Sequence, residues 1–180
     1  MKKEFYQEIE IPEGVEASLN GSLFSVKGPE GELSREFQTN KLDFEKKGNK
    51  IIIGTKKATK NEKKMVNTIK SHINNMIEGA QKKFEYVLKA CFSHFPITVE
   101  VKGNEAVVKN FLGEKVARKV SIPTGVEVKV DRDIITIISA SKELAGQAAA
   151  NFETATKVSN RDRRVFQDGI FMTSKAGREI

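Results

Sequence analysis

An internal repeat constrains the fold of this chain more than any other feature of its sequence. The string Pro-x-x-Val-Glu begins at Pro12, Pro96 and Pro123, and each copy opens a segment of alternating residues. A tight-turn signal follows each copy, such as Asn20-Gly21 after the first, and such pairs favour β-hairpins. A further hairpin, in the stretch LDFEKKGNKIII, lacks the proline. The repeat therefore predicts four hairpins.

Two registers compete for this repeat. Pro12 and Pro123 lie 111 residues apart, whereas VKGPEGE, which starts at Val26, and VKNFLGE, which starts at Val108, lie 82 apart. The 82-residue register also aligns the hairpins and the helical segments of the two halves, so we prefer it. Each unit then has the order hairpin, hairpin, helix.

A helix is predicted after each pair of hairpins. The first begins at Thr59, because Thr59 and Glu62 have the spacing of a capping box, and we expect it to end at Gly79. Beyond it the apolar period changes to two, so residues 84–93 are predicted to be the first strand of the second unit. The second helix is predicted to start near Ser141. Its inward face is predicted to hold Leu144, Ala148, Phe152 and Ala155.

These elements define an α+β fold with two tandem similar domains from an internal duplication. Each domain is expected to be a small antiparallel sheet packed against one helix. The predicted domains are an N-terminal one at 1–81 and a C-terminal one at 82–157. Residues 158–180 are predicted to be a basic C-terminal extension packed on the second domain.

Composition limits the cellular setting. With 38% apolar and 31% charged residues, the chain has the composition of a folded protein. No apolar run reaches the roughly 18 residues of a membrane span, and the amino end lacks the apolar region of a secretory signal. The single cysteine, Cys91, cannot form an internal disulfide, which fits a reducing compartment. We therefore expect a cytoplasmic protein that does not contact a membrane.

The charge distribution favours nucleic acid as the partner. The net charge is +7, yet residues 1–37 carry four basic and eight acidic side chains, and residues 38–90 carry thirteen basic and five acidic ones. Eight lysines lie between Lys46 and Lys64, and both a solvated surface and a secondary RNA contact explain them. Four of the seven arginines fall in the last twenty residues. Arginine is suited to bidentate phosphate contacts.

The segment VSNRDRRVFQDGIF, residues 158–171, combines arginines with large apolar residues. A disordered solubility tail would be poor in aromatic residues. We expect Phe166, Ile170 and Phe171 to dock on the second domain while the guanidinium groups face phosphates.

Enzyme chemistry has weak support. Cys91 and His94 have a Cys-x-x-His spacing, but a structural zinc site needs four ligands and His72 is the only other soft candidate. Both residues lie where the predicted strand should run, so a strand or core position is the stronger interpretation. The glycines of VKGPEGE are not followed by the Gly-Lys-Ser/Thr of a phosphate loop, so a turn is favoured. We expect no catalytic residue, metal, cofactor or small-molecule substrate.

Three stretches carry a family resemblance: RRVFQDGIF, VKNFLGEK at 108–115 and SHFPITVEV at 93–101. They resemble the universal large-subunit ribosomal protein six family in its archaeal and eukaryotic form. The resemblance covers the whole chain, including the duplication and the break near residue 80. Thr154 departs from it, since the family usually has glutamine there. The tail positions that fit the family signature are Val158, Arg161, Arg164, Phe166, Asp168, Gly169, Ile170, Phe171, Met172 and Lys175.

The resemblance implies a structural protein that binds large-subunit rRNA near the stalk base, close to where translation factors dock and beside other large-subunit proteins. Carry-over assigns rRNA contacts to Arg161, Arg164 and Lys175 in the tail, and to Lys109 and Lys115 in the VKNFLGEK loop. Arg163 matches no family position and is included on its charge alone. The predicted rRNA-binding set is Lys109, Lys115, Lys157, Arg161, Arg163, Arg164, Lys175 and Arg178.

Two alternatives stay open at this point. One is a free-standing RNA-binding module outside the ribosome. The other is a small hydrolase or transferase that uses Cys91 and His94.

Overall fold

A computed structural model of the protein describes residues 3–38 and 42–180. The chain divides into two compact units, with the division between Lys83 and Phe84. Each unit has its own apolar core. Fully buried side chains of the first core include Phe24, Val26, Ile51, Ile53 and Ile73. Those of the second include Leu88, Phe111, Ile135, Ile137 and Phe152.

The first unit contains six described strands and one helix. In chain order they are β1 (Lys3–Glu10), β2 (Glu16–Asn20), β3 (Leu23–Gly28), β4 (Gly31–Glu36), β5 (Asp43–Lys47), β6 (Lys50–Ala58) and α1 (Lys60–Gln81). They form two antiparallel three-stranded sheets, in the orders β1-β6-β5 and β2-β3-β4. The helix packs against strands of both sheets.

The second unit repeats this arrangement and adds to it. Its elements are β7 (Phe84–Cys91), β8 (Thr98–Lys102), β9 (Glu105–Lys109), a short 3-10 helix (Phe111–Gly113), β10 (Arg118–Ser121), β11 (Glu127–Asp131), β12 (Ile134–Ser139), α2 (Lys142–Ala155), β13 (Gly169–Lys175) and β14 (Arg178–Glu179). One sheet has the order β10-β9-β8, and the other has the order β11-β12-β7-β13-β14.

The two units confirm the predicted α+β class and the duplication. The starts of β2 and β8, and those of β3 and β9, lie 82 residues apart, so the fold follows the 82-residue register. Each unit divides its strands between two sheets, whereas one sheet per domain was expected. The reason is that the hairpin pattern specifies neighbouring strands but not which hairpins share a ladder.

The first helix begins as predicted and ends later than predicted. Thr59 is its N-cap, and the Thr59 backbone N–H donates to the Glu62 carboxylate at 2.8 Å. The helix continues past Gly79 to Gln81. There it lies very close to β3, because a Cβ added to Gly28 would sit 2.5 Å from the Ala80 carbonyl oxygen. Tertiary packing therefore keeps the helix regular beyond the glycine.

The second helix begins at the predicted cap, but one inward residue was wrong. The Ser141 hydroxyl accepts a hydrogen bond from the Leu144 backbone N–H at 3.4 Å. Leu144 itself is 37% exposed, and Ala145 is buried in its place. The buried face of α2 consists of Ala145, Ala148, Ala149 and Phe152. Small side chains on this face let the helix lie close to the sheet.

The end of the chain is part of the second sheet. β13 lies between β7 and β14, and it pairs with β7 from Gly169↔Cys91 to Lys175↔Tyr86. Residues 156–168, which we call the tail loop, connect α2 to this strand. The end of α2 and the start of β13 therefore fix the two ends of the region that carries the arginine cluster.

Candidate nucleic-acid interface

A buried carboxylate anchors the tail loop. Asp168 is 1% exposed and accepts hydrogen bonds from the Ser93 hydroxyl at 2.9 Å and the His94 backbone N–H at 3.2 Å, with His94 Nδ1 at 2.9 Å. Burial would raise the pKa of this carboxyl, but the hydrogen bonds from His94 and Ser93 outweigh it and lower the pKa to about 2. The loop therefore ends at a fixed, charged anchor.

A second anchor lies at the beginning of the loop. The buried Thr156 hydroxyl accepts from the Ile170 backbone N–H at 2.9 Å and donates to the Phe152 carbonyl at 3.1 Å. Val158 is also buried. The loop is thus tied at both ends to the second unit.

The aromatic residues of the tail differ in environment. Phe166 packs against the core and stacks on the His94 ring, with ring centroids 4.8 Å apart. Ile170 is fully buried, but Phe171 is 48% exposed and Val165 59%. The expectation that Phe171 docks on the domain is wrong, because the alternation of β13 directs Ile170 into the core and Phe171 to the other face.

The three clustered arginines have three different environments. The guanidinium carbon of Arg161 lies 4.8 Å from the centre of the Phe166 ring, in a cation–π contact. Arg164 forms an ion pair with Asp162, with Nη2 and Oδ2 2.8 Å apart, and this pair lowers the pKa of Asp162. Arg163 is exposed and has no hydrogen bond or ion pair within the described part of the chain. Arg163, which has the weakest support from the sequence, is therefore the arginine most available to a binding partner.

Arg163 borders a cleft of about 710 Å³ beside the tail loop. We call this space the tail cleft. It is lined by the end of β7, the end of α2, the tail loop and the start of β13. Residues from these elements include Cys91, Glu153, Lys157, Phe166 and Phe171.

A second loop, residues 110–117, lies next to the tail. Arg118, at its end, donates to both Glu114 carboxylate oxygens, at 2.8 and 2.6 Å, and to the Ala155 carbonyl at 2.7 Å. The hydrogen bond from Arg118 lowers the pKa of Glu114, and the charge of Arg161 contributes to the same shift. Arg118 therefore fixes this loop against the end of α2 and near Arg161.

Sequence reasoning missed this role of Arg118. The signal available was the Glu114–Arg118 spacing of four residues, which also occurs by chance in most charged sequences.

The remaining predicted contacts fall into two groups, one at or near the two loops and the other in the β13–β14 hairpin. Lys109, at the end of β9, pairs with Glu100 at 2.5 Å, and Lys115 is exposed in the 110–117 loop. Lys157 is exposed at the start of the tail loop. Lys175 and Arg178 are exposed and face each other in the β13–β14 register. Because β13 rises by about 3.3 Å per residue, they lie roughly 20 Å along the strand from Gly169.

The lysine stretch of the first unit is partly neutralised. Lys46 donates to the Ala17 carbonyl, Lys47 pairs with Glu45, Lys50 pairs with Glu8 and Glu10, and Lys63 lies over the Phe5 ring. Within the described residues the four others, Lys56, Lys57, Lys60 and Lys64, are exposed and have no such partner.

The structure does not organise Cys91 and His94 for catalysis. Cys91 is a free, partly exposed thiol, and His94 is engaged by Asp168 and Phe166. Ser93 and Asp168 both approach the same imidazole nitrogen, Nδ1, at 3.1 and 2.9 Å. A serine nucleophile requires its base to meet serine and carboxylate through opposite ring nitrogens. Ser93, His94 and Asp168 therefore act as a structural anchor.

Within residues 3–38 and 42–180, no cluster of three or more His, Cys, Asp or Glu side chains has the arrangement of a metal site. None of the helices in these ranges has the length and apolar character needed to cross a membrane.

Two copies of one α+β unit, the second carrying a basic, anchored tail, define a protein built by internal duplication. The family model for ribosomal protein L6 matches residues 11–83 and 95–169. The chain belongs to the ribosomal protein L6 family, whose members are structural, non-enzymatic components of the ribosome. The match also confirms the tandem repeat, the resemblance of the sequence and the expectation that the chain is not an enzyme.

Relatives from three archaea are similar to the chain over nearly its whole length. Proteins named large ribosomal subunit protein uL6 are 46% identical in Methanobrevibacter smithii, 42% in Sulfurisphaera tokodaii and 42% in Methanococcus vannielii. The alignments cover 94%, 94% and 97% of this chain, and 95%, 92% and 96% of the respective relatives.

Proposed function

We propose that this protein is a structural constituent of the large ribosomal subunit in the cytoplasm and binds large-subunit rRNA through its second unit. The observation that carries the proposal is its near full-length similarity to relatives named for the large ribosomal subunit. Their names place those relatives in the large subunit, and the anchored basic tail of this chain supplies cations for RNA.

The rRNA-binding surface consists of the tail loop, the end of β9 with the neighbouring 110–117 loop, and the β13–β14 hairpin. Its proposed contacts are Lys109, Lys115, Lys157, Arg161, Arg163, Arg164, Lys175 and Arg178. These side chains contact phosphates and 2′-hydroxyl groups, because the deep major groove of folded RNA gives side chains little access to bases. Anchoring at Asp168 and Thr156 supports this role, since a preordered loop loses less conformational entropy on binding.

The proposed position in the subunit is near the stalk base and the docking region of translation factors, beside other large-subunit proteins. This position rests on the family resemblance of the tail and of the VKNFLGEK loop. Chemical footprinting of the bound rRNA tests it. Protection confined to rRNA distant from the stalk base would contradict the position.

The central experiment compares two RNAs in the same salt. The purified protein is titrated against transcribed large-subunit rRNA and against an unrelated folded RNA of similar length. We expect tighter binding to the large-subunit rRNA, and co-sedimentation of the protein with large subunits at high salt. Equal affinity for both RNAs would instead indicate a free-standing RNA-binding module.

A further inference from the structure

We propose that the tail cleft binds one unstacked nucleotide of the RNA, with the base against Phe171 and the phosphate between Lys157 and Arg163. This inference rests on the proposed rRNA-binding function and adds base stacking to a surface otherwise assigned to phosphate contacts.

The size and the lining of the cleft fit a nucleotide. Its volume of about 710 Å³ lies within the usual range for small-ligand sites, about 300 to 1,000 Å³. Apolar side chains from Val158, Phe166, Ile170 and Phe171 line it. A bare phosphate would gain nothing from such a lining, whereas a flat base would.

Phe171 has the properties of a stacking platform. It is 48% exposed, and a Cβ added to Gly169 would lie 3.0 Å from its Cζ, so the ring rests close to the Gly169 backbone. An exposed aromatic ring in a fixed position stacks on bases of any identity. Because Phe171 does not pack in the core, its ring is available to stack on the RNA.

The charges around the cleft complement a nucleotide. Lys157 and Arg163 line it, and within the described residues neither side chain has an ion-pair partner. The acidic groups there already accept hydrogen bonds: Glu153 from the Met172 backbone N–H at 2.9 Å, and Asp168 from Ser93 and His94. Neither acid forms an ion pair with Lys157 or Arg163 in the described part of the chain, so both cations are available for a phosphate.

Cys91 provides a direct test, because the chain's single cysteine lines this cleft. The full protein is alkylated with N-ethylmaleimide and titrated against transcribed large-subunit rRNA. We expect binding to weaken by roughly 5- to 160-fold, the range expected when one base stack is removed, and its salt dependence to become shallower because the phosphate between Lys157 and Arg163 is displaced together with the base. Bound rRNA should in turn slow the alkylation of Cys91. Cys91→Ser protein, treated with the same reagent, is the matched control.

A second variant tests the stacking itself. Phe171→Ala should weaken binding over a similar range, whereas Ile134→Ala should not. Ile134 is 47% exposed and lies on the same sheet face, since Ile134 and Phe171 both pair with Lys89. Thermal unfolding shows whether each variant is folded. If Phe171→Ala is not folded, the alkylation experiment alone tests the nucleotide site.

The outcomes separate this inference from the function on which it rests. Unchanged affinity after alkylation, or in folded Phe171→Ala protein, would overturn the nucleotide site while preference for large-subunit rRNA persists. Loss of that preference in the unmodified protein would overturn the proposed function itself.

Discussion

At the scale of single residues, Asp168 couples the stability of the second unit to pH. Its pKa of about 2 in the folded protein lies below the roughly 3.9 of a free aspartate. A lowered pKa means that the carboxylate stabilises the fold above pH 4 and that this stabilisation is lost as the pH falls toward 2.

The pH dependence of unfolding checks this role. Between pH 5 and pH 2 the free energy of unfolding should fall by about 2 kcal/mol more in the natural protein than in Asp168→Asn. Denaturant unfolding at several pH values measures the difference. Asp162→Asn, which removes an exposed ion pair with Arg164, should leave the unfolding midpoint unchanged. Equal pH profiles for the natural protein and Asp168→Asn would contradict the anchor.

Residue spacing alone did not resolve the arginine cluster. The sequence placed three arginines together, but only the folded structure shows Arg161 over the Phe166 ring and Arg164 paired with Asp162. These partners lie near in sequence, yet their geometry depends on the anchors at Thr156 and Asp168. Sequence spacing cannot supply that geometry.

At the scale of elements, the contact between β3 and α1 depends on a missing side chain. A Cβ at Gly28 would collide with the Ala80 backbone carbonyl, at 2.5 Å. Gly28→Ala should destabilise the protein by about 1 to 3 kcal/mol, because a backbone atom cannot move aside easily. Denaturant unfolding measures the change.

A glycine in the other helix should respond in the opposite direction. Gly146 lies inside α2, and a Cβ there would meet Tyr86 at 3.6 Å, an ordinary contact distance. Gly146→Ala should be neutral or stabilise by up to about 1 kcal/mol, because alanine favours the helix. Destabilisation by both substitutions would contradict the packing argument.

The boundary of the second unit depends on strand β13. The predicted domain ends at 157, but β13 pairs along β7 and Ile170 enters the core. We expect a fragment of residues 84–180 to unfold cooperatively and a fragment of residues 84–157 not to, because the shorter one leaves one edge of β7 unpaired and exposes its core. Circular dichroism during thermal unfolding distinguishes them. Cooperative unfolding of 84–157 would support the boundary at 157.

At the scale of the whole molecule, the proposed RNA binding should depend steeply on salt. Replacing Arg161, Arg163 and Arg164 with glutamine should reduce the slope of log K against log salt by about 0.7 to 0.9 for each phosphate that is no longer neutralised. Filter binding to large-subunit rRNA over a range of salt measures the slope.

A second variant that loses the same number of positive charges distinguishes local phosphate contacts from an effect of net charge. Substitution of Lys56, Lys57 and Lys60 by glutamine removes three charges from the first unit. An unchanged slope would identify the lysine stretch as a solvated surface. An equal decrease of slope in both variants would contradict a special role for the tail arginines.

The sequence by itself determined the duplication, the 82-residue register, the helix starts at Thr59 and Ser141, and the strand at residue 84. These features depend on side-chain period, capping residues and turn residues, which act over a few neighbouring positions. Because such signals are local, one sequence was enough to predict them. The family was predicted separately, from the resemblance of three motifs, and the family model confirms it.

Only the tertiary structure decided the division into two sheets, the exposure of Leu144 and Phe171, and the insertion of β13 beside β7. Each depends on contacts between residues far apart in the chain, such as Asp168 with Ser93. Long-range pairing selects among arrangements that local preference leaves equivalent, and this selection created the tail cleft.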